Sequence, residues 1–114
     1  MMQTLTDADA LARCKATGAV FILFGGAQCQ VCQTLRPQLE AMLERDFPAM
    51  QGVYVDCAAS PALCAQHGVY SLPVVQAFIE GMKVAEAARA FGMQQLKQQL
   101  ERPYAIWRAG RANG

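Results

Sequence analysis

Charge is scarce in this chain: 17% of its residues are Asp, Glu, Lys or Arg, and 10 basic residues against 9 acidic ones leave a formal charge of +1. No run of basic residues supplies the clustered cationic face from which nucleic-acid binding draws its affinity, so no nucleic acid is expected as a partner. Apolar runs are short, far below the roughly 20 residues that cross a bilayer, and no membrane association is expected. The opening MMQTLTDADALARC carries Asp7 and Asp9 and lacks a basic segment followed by an apolar block. It does not read as a secretory signal, and the expected location is cytoplasmic. Linkers, internal repeats and low-complexity blocks are also missing. At 114 residues and 54% hydrophobic content, the chain is expected to form one core-bearing domain over residues 1–103, with a C-terminal tail over 104–114.

Cysteine is not scarce. There are 5, an odd number that cannot all pair within one chain. In a reducing compartment such thiols are more often buried, catalytic or metal-bound than stapled. The stretch Gly18 to Pro37, GAVFILFGGAQCQVCQTLRP, organises the rest. Ala19 to Phe24 is apolar on both parities, the pattern of a strand covered by helices on both faces. Gly25-Gly26 turns the chain, and Cys29 and Cys32 then open a helical pattern that runs from Gln30 to Phe47 on Leu35, Leu39, Met42 and Leu43. Strand, turn, Cys-x-x-Cys and helix in that order form a redox or metal signature.

The other elements follow from local signals. Thr6 is a plausible N-cap for a short first helix carrying Ala8, Leu11 and Ala12 and ended by Gly18. Val53 to Val55 is a second strand closed by Asp56. Ser60-Pro61 starts a two-turn helix that Gly68 stops. Leu72-Pro73-Val74 opens a third strand reaching Ile79, Glu80-Gly81 turns it, and Met82 to Ala88 pairs back. Met93, Leu96, Lys97 and Leu100 form a last helix, expected to stop before Pro103, and the tail after Trp107 is expected to fray. Alternating helices and strands with a closing hairpin give an α/β fold with a mixed sheet flanked on both faces.

The strand before CQVC, Pro37 five residues after the second cysteine, and SLPVV with Pro73 before the last hairpin together resemble the thioredoxin family over roughly Leu5 to Leu100. The resemblance implies a thioredoxin fold, with a cis Leu72-Pro73 bond packed against the cysteines and Pro37 kinking the helix. It implies thiol–disulfide exchange without a cofactor, with Cys29 attacking at a helix N-terminus that favours the thiolate and Cys32 resolving the mixed disulfide. Protein or low-molecular-weight disulfides are the implied substrates. They would lie in a groove bordered by Gln28, Gln30, Val31, Leu72 and Pro73, and a reductase or thiol pool would recycle the pair. The chain departs from the family where Gln28 replaces a Trp, Gln30-Val31 replaces Gly-Pro, Leu23 replaces a buried acid and Gly25 replaces a second Trp. These losses leave a second reading, a non-catalytic interaction or chaperone module on the same fold.

Outside this motif, Cys57 and Cys64 can either form a second disulfide or remain two thiols. Cys-x-x-Cys is also half of a tetrahedral zinc site. The other half would have to come from Cys57, Cys64 or His67, whose spacing matches no familiar finger, and no metal is expected. His67 is expected at a helix C-terminus on the surface, where its cation suits the dipole. Cys14 reads as a small buried or helix-surface thiol, and Met42, Met82 and Met93 as packing residues.

Overall fold

The apolar run at the centre of the sequence is a strand buried along its whole length, Ala19–Gly25. In this computed structural model, which describes the backbone of residues 1–113 and the side chains of residues 1–111, it is the second of five strands. The elements are β1 (Gln3–Thr4), α1 (Ala8–Ala16), β2 (Ala19–Gly25), α2 (Gln30–Asp46), β3 (Gln51–Asp56), α3 (Pro61–Gln66), β4 (Val74–Ile79), β5 (Met82–Ala88) and α4 (Met93–Asn113). The sheet order is β1-β3-β2-β4-β5. β1, β3 and β2 run parallel, while β4 and β5 are antiparallel to their neighbours.

Because successive strand residues point to opposite faces, β2 divides the core in two. Ala19, Phe21 and Leu23 pack with Leu39, Met42 and Leu43 of α2 and Leu96 and Leu100 of α4. Val20, Ile22 and Phe24 pack with Leu11 of α1 and Leu63 and Cys64 of α3. Each such side chain contributes on the order of 1.5–3 kcal/mol on burial. The doubly apolar strand of the sequence is thus a strand between two helical layers, and the mixed α/β sheet has the expected thioredoxin fold.

Several local expectations shift. The cap of α1 is Asp7, one residue beyond Thr6, and its carboxylate accepts from Asp9 N and Ala10 N. A charged acceptor that serves two amides at the positive end of the helix outcompetes a hydroxyl. Ser60 makes no side-chain capping bond to α3. α2, by contrast, is one helix with Pro37 inside it, as expected. The third strand begins at Val74, after Pro73, which has no N–H for a ladder. Met82, expected to pack, lies on the outer side of β5 and is 72% exposed.

The largest difference is at the C-terminus. α4 does not stop before Pro103 but runs on to Asn113, so the segment expected to fray is helical up to that residue and only Gly114 lies outside the described residues. Tertiary contacts override the proline. The Tyr104 ring stands edge-on to Phe47 at 5.1 Å, its hydroxyl accepts from Ala49 N at 2.9 Å, and Trp107 Nε1 donates to Glu80 Oε2 at 3.0 Å. Glu80 also accepts from Gly18 N. With Gly81 it forms a two-residue turn in which both have positive φ, 49° and 86°, as the hand of a tight hairpin requires.

Candidate active site

Cys29 is the N-cap of α2, a 17-residue helix, and its Sγ accepts from Cys32 N at 3.2 Å. The turn before it is closed by Cys29 N donating to Gly26 O, and Gln33 Nε2 donates to the same carbonyl. The two sulfurs are bonded, with Cα atoms 5.2 Å apart. Their surroundings differ: Cys29 is half-buried, whereas Cys32 is 0% exposed. A sulfur at a helix N-terminus that solvent reaches, joined to one that solvent does not, is an arrangement suited to stepwise disulfide exchange.

Gly25 allows the tight packing behind Cys32. A Cβ at this position would lie 3.1 Å from Cys32 Cβ, 3.2 Å from its Sγ and 3.1 Å from Tyr54 Cε1. Tyr54 is the neighbour of Leu23 in the β2–β3 register and lies in the same core layer. The position where a buried acid was missed in the sequence is therefore covered by Leu23 at 0% exposure and flanked by a buried phenol. Burial pushes the Tyr54 hydroxyl above its ordinary value and Asp56 adds to this, against Gln33 and Arg36, so the ring stays neutral at physiological pH. The Arg36 guanidinium covers its face at 4.4 Å. Nothing in the sequence singled out Tyr54, because its importance comes from strand register.

The Leu72-Pro73 bond is cis. Pro73 is buried, and Leu72 reaches toward the cysteine loop, with Cδ1 3.5 Å from where a Cβ on Gly26 would sit. Gln28, Gln30 and Val31, which flank Cys29 in the chain, are exposed. Val31, at 58% exposure, lines a shallow hollow of about 350 Å³ with Gln30, Thr34, Leu35 and Gln38.

Cys57 and Cys64 are bonded to each other, with Cα atoms 5.6 Å apart, joining the end of β3 to α3. Cys57 N also donates to Gly25 O at 2.8 Å, which fixes this junction to the end of β2. Cys14 is the free cysteine among the described residues. No three His, Cys, Asp or Glu side chains among the described residues gather as a metal cluster.

A family model described as Thioredoxin matches residues 3–102. The chain belongs to the thioredoxin family. Among its relatives, Thioredoxin-like protein YdfQ of Bacillus subtilis (strain 168) is 29% identical over 87 residues, 76% of this chain and 77% of the relative. A thioredoxin of Chlamydia muridarum (strain MoPn / Nigg) is 34% identical over 83 residues, 73% and 80% of the two chains. In fold, a mutant thioredoxin of Halobacterium salinarum NRC-1 superposes with a TM-score of 0.76 at 24% identity, covering 89% of this chain and 88% of that one. Fasciola hepatica thioredoxin gives 0.76 at 21% identity, covering 89% and 98%. Thioredoxin family membership and a cysteine pair at disulfide distance support thiol–disulfide oxidoreduction as the general chemistry. No helix among the described residues is long and apolar enough to cross a membrane.

His67 corrects another expectation. It is not a surface cation but half-buried, its ring 5.5 Å from that of Phe24. Nδ1 donates to Leu63 O at 2.9 Å and Nε2 accepts from Lys15 Nζ at 3.0 Å, which together require the neutral ring. Burial pushes its pKa down, the Leu63 carbonyl opposes this, and the Lys15 ammonium adds to the decrease. Buried Gln76 ties the same corner together, donating to His67 O and to Glu86 Oε2. A depressed histidine pKa means that the unfolded chain takes up the proton first as pH falls. The resulting stability is present above the unfolded pKa and is lost as pH drops toward and through the folded one. The melting temperature of the native protein is therefore expected to fall between about pH 7 and 5, and less so in His67→Gln. Equal slopes in parallel thermal melts would remove His67 as the cause.

Proposed function

We propose that this protein is a thiol–disulfide oxidoreductase acting on protein or small-thiol disulfides, with Cys29 as nucleophile and Cys32 as resolving thiol. The observation that carries this reading is the asymmetry of the pair, a half-buried sulfur capping a helix beside one that is 0% exposed. In the reduced protein the Cys29 thiolate attacks one sulfur of a substrate RS–SR′, forming Cys29–S–S–R and releasing R′S⁻. Cys32 gives its proton to water and attacks Cys29 Sγ, releasing RS⁻ and closing the internal disulfide. Two electrons pass to the substrate, and an external dithiol, supplied by a reductase or a thiol pool, restores the pair. Substrate would lie extended between Gln28, Gln30 and Val31 on one side and Leu72 and Pro73 on the other. The Leu72 N–H and C=O enter no hydrogen bond among the described residues, so both are free for strand-like pairing. Pro37 serves as a structural residue of the helix behind the pair. The reaction draws on no bound cofactor, and we place the protein in the cytoplasm, in cellular redox homeostasis.

A second reading, a docking or chaperone-like module, draws on the exposed apolar side chains beside the same groove: Val31 at 58% and Tyr70 at 83% exposure. Cys32→Ser separates the two. Under the first reading this variant, reduced and mixed with disulfide-bearing protein, accumulates a thiol-cleavable adduct through Cys29 while the parent protein reduces insulin. No adduct and no insulin reduction would leave the docking module.

A further inference from the structure

β5 ends its register with Ala88 opposite Val74. One residue later Arg89 N donates to Pro73 O at 2.6 Å, and Pro73 has no N–H to return. Arg89 then leaves the strand with φ 65°, a left-handed conformation that is strained for a non-glycine residue and persists only where its surroundings impose it. Glu80, the other non-glycine with positive φ among the described residues, is explained by its hairpin turn. Arg89 is in no hairpin. Its conformation sets the side chain along the cis-proline loop, where Nε donates to Ser71 Oγ at 3.1 Å. This is the loop whose Leu72 reaches the turn before Cys29.

The charge distribution makes that placement informative. Gln28, Gln30, Val31, Ser71, Leu72 and Pro73 carry no charge, and Asp56, whose Oδ1 comes within 3.9 Å of where a Cβ on Gly26 would sit, has that oxygen engaged by Ala58 N and Ala59 N. No ion pair among the described residues uses Arg89. With Nε engaged, the two terminal nitrogens present four N–H groups in the planar fork that fits a carboxylate. We propose that Arg89 makes this site select disulfide substrates that carry a carboxylate beside the scissile bond.

The inference rests on the exchange reaction proposed above, and Arg89 takes no part in its electron or proton transfers. The test uses fully reduced protein and short peptide disulfides of one length, flanked by Glu, by Gln or by Lys, with glutathione disulfide as a small carboxylate-bearing substrate. The parent protein is expected to favour the Glu peptide over the Lys peptide about fivefold in kcat/KM at low salt, the effect of one exposed ion pair, and less at high salt. Arg89→Gln should bring the ratio to about one, Arg89→Glu should invert it, and Arg89→Lys should restore part of it. Arg89→Gly, which keeps the left-handed backbone without strain, should also lose the preference while melting normally. A loss confined to peptides assigns the carboxylate to a polypeptide, and a parallel loss on glutathione disulfide assigns it to small thiols as well. A ratio unchanged in Arg89→Gln and Arg89→Gly, or no preference in the parent, overturns the proposal. If the parent reduces none of the substrates, the exchange reading itself fails.

Discussion

Cys29→Ser is expected to lower the kcat/KM of disulfide exchange by about 10³-fold or more, to the background of the assay, as removal of a catalytic nucleophile does elsewhere. A hydroxyl stays protonated where a thiol at a helix N-terminus ionises, and it cannot form the mixed disulfide on which the proposed reaction depends. The loss should occur without unfolding, because Cys29 has a second task. It caps α2, with Sγ accepting from Cys32 N, and serine is among the best residues at that position. Cys29→Ala separates the tasks: it should be equally inactive and, in reducing buffer, less stable than Cys29→Ser by about 1 kcal/mol through the lost cap. Insulin reduction and denaturant titration on both variants check the pair of statements. If Cys29→Ser retained more than about 1% of parent exchange, the nucleophile would have to be another sulfur.

The sequence carried the frame of this site because the frame depends on local signals. An apolar run with no polar parity has to be covered on both faces, and β2 is. A cysteine placed just before a helical pattern has to meet free amides, and Cys29 does. What the sequence concealed lies across strands. Tyr54 stands behind Cys32 because β3 runs in register with β2, and Arg89 reaches Ser71 because a left-handed residue ends the β5 ladder. Neither register nor a single φ leaves a mark in composition or periodicity. His67 was misread for the same reason. Its place at the end of α3 suggested a favourable cation, whereas Lys15 from α1 and Phe24 from β2 close over it and require the neutral ring. At Pro103 the local rule was sound but the energy was too small. A proline inside a helix costs about 3 kcal/mol, and the Tyr104 and Trp107 contacts hold the extension in spite of it.

The departures from the family pattern can also be placed. Leu23 and Gly25 together convert the space behind Cys32 from a polar to an apolar one, sealed by the Tyr54 ring. Under the proposed exchange, Cys32 has no buried carboxylate among the described residues to receive its proton, so the resolving step would pass that proton to water. Gln28 and Val31 are exposed and uncharged, so under the proposal for Arg89 they offer no charge that would compete with its guanidinium in choosing substrates.

Phe24→Ala is expected to lower the stability of the fold by about 3–5 kcal/mol, the range for removing a fully buried phenylalanine. Phe24 is 0% exposed and sits in the core layer shared by Leu11 of α1, Leu63 and Cys64 of α3, and Val69. Its strand neighbours are fixed on both sides by β3 and β4, so the sheet cannot collapse onto the cavity, which places the loss toward the upper end. For a chain of this size that corresponds to a melting temperature about 10–20 °C lower. The same ring shields His67, so the variant should also lose part of the pH dependence attributed to that histidine. Phe24→Ala and His67→Gln should accordingly be non-additive, as contacting residues are. Exchange through Cys29 should survive well below the melting temperature, because Cys32 packs at Gly25 with Tyr54 in the opposite layer. A loss below about 1 kcal/mol in urea titration would mean that α1 and α3 close over the gap, contradicting a rigid core on that face.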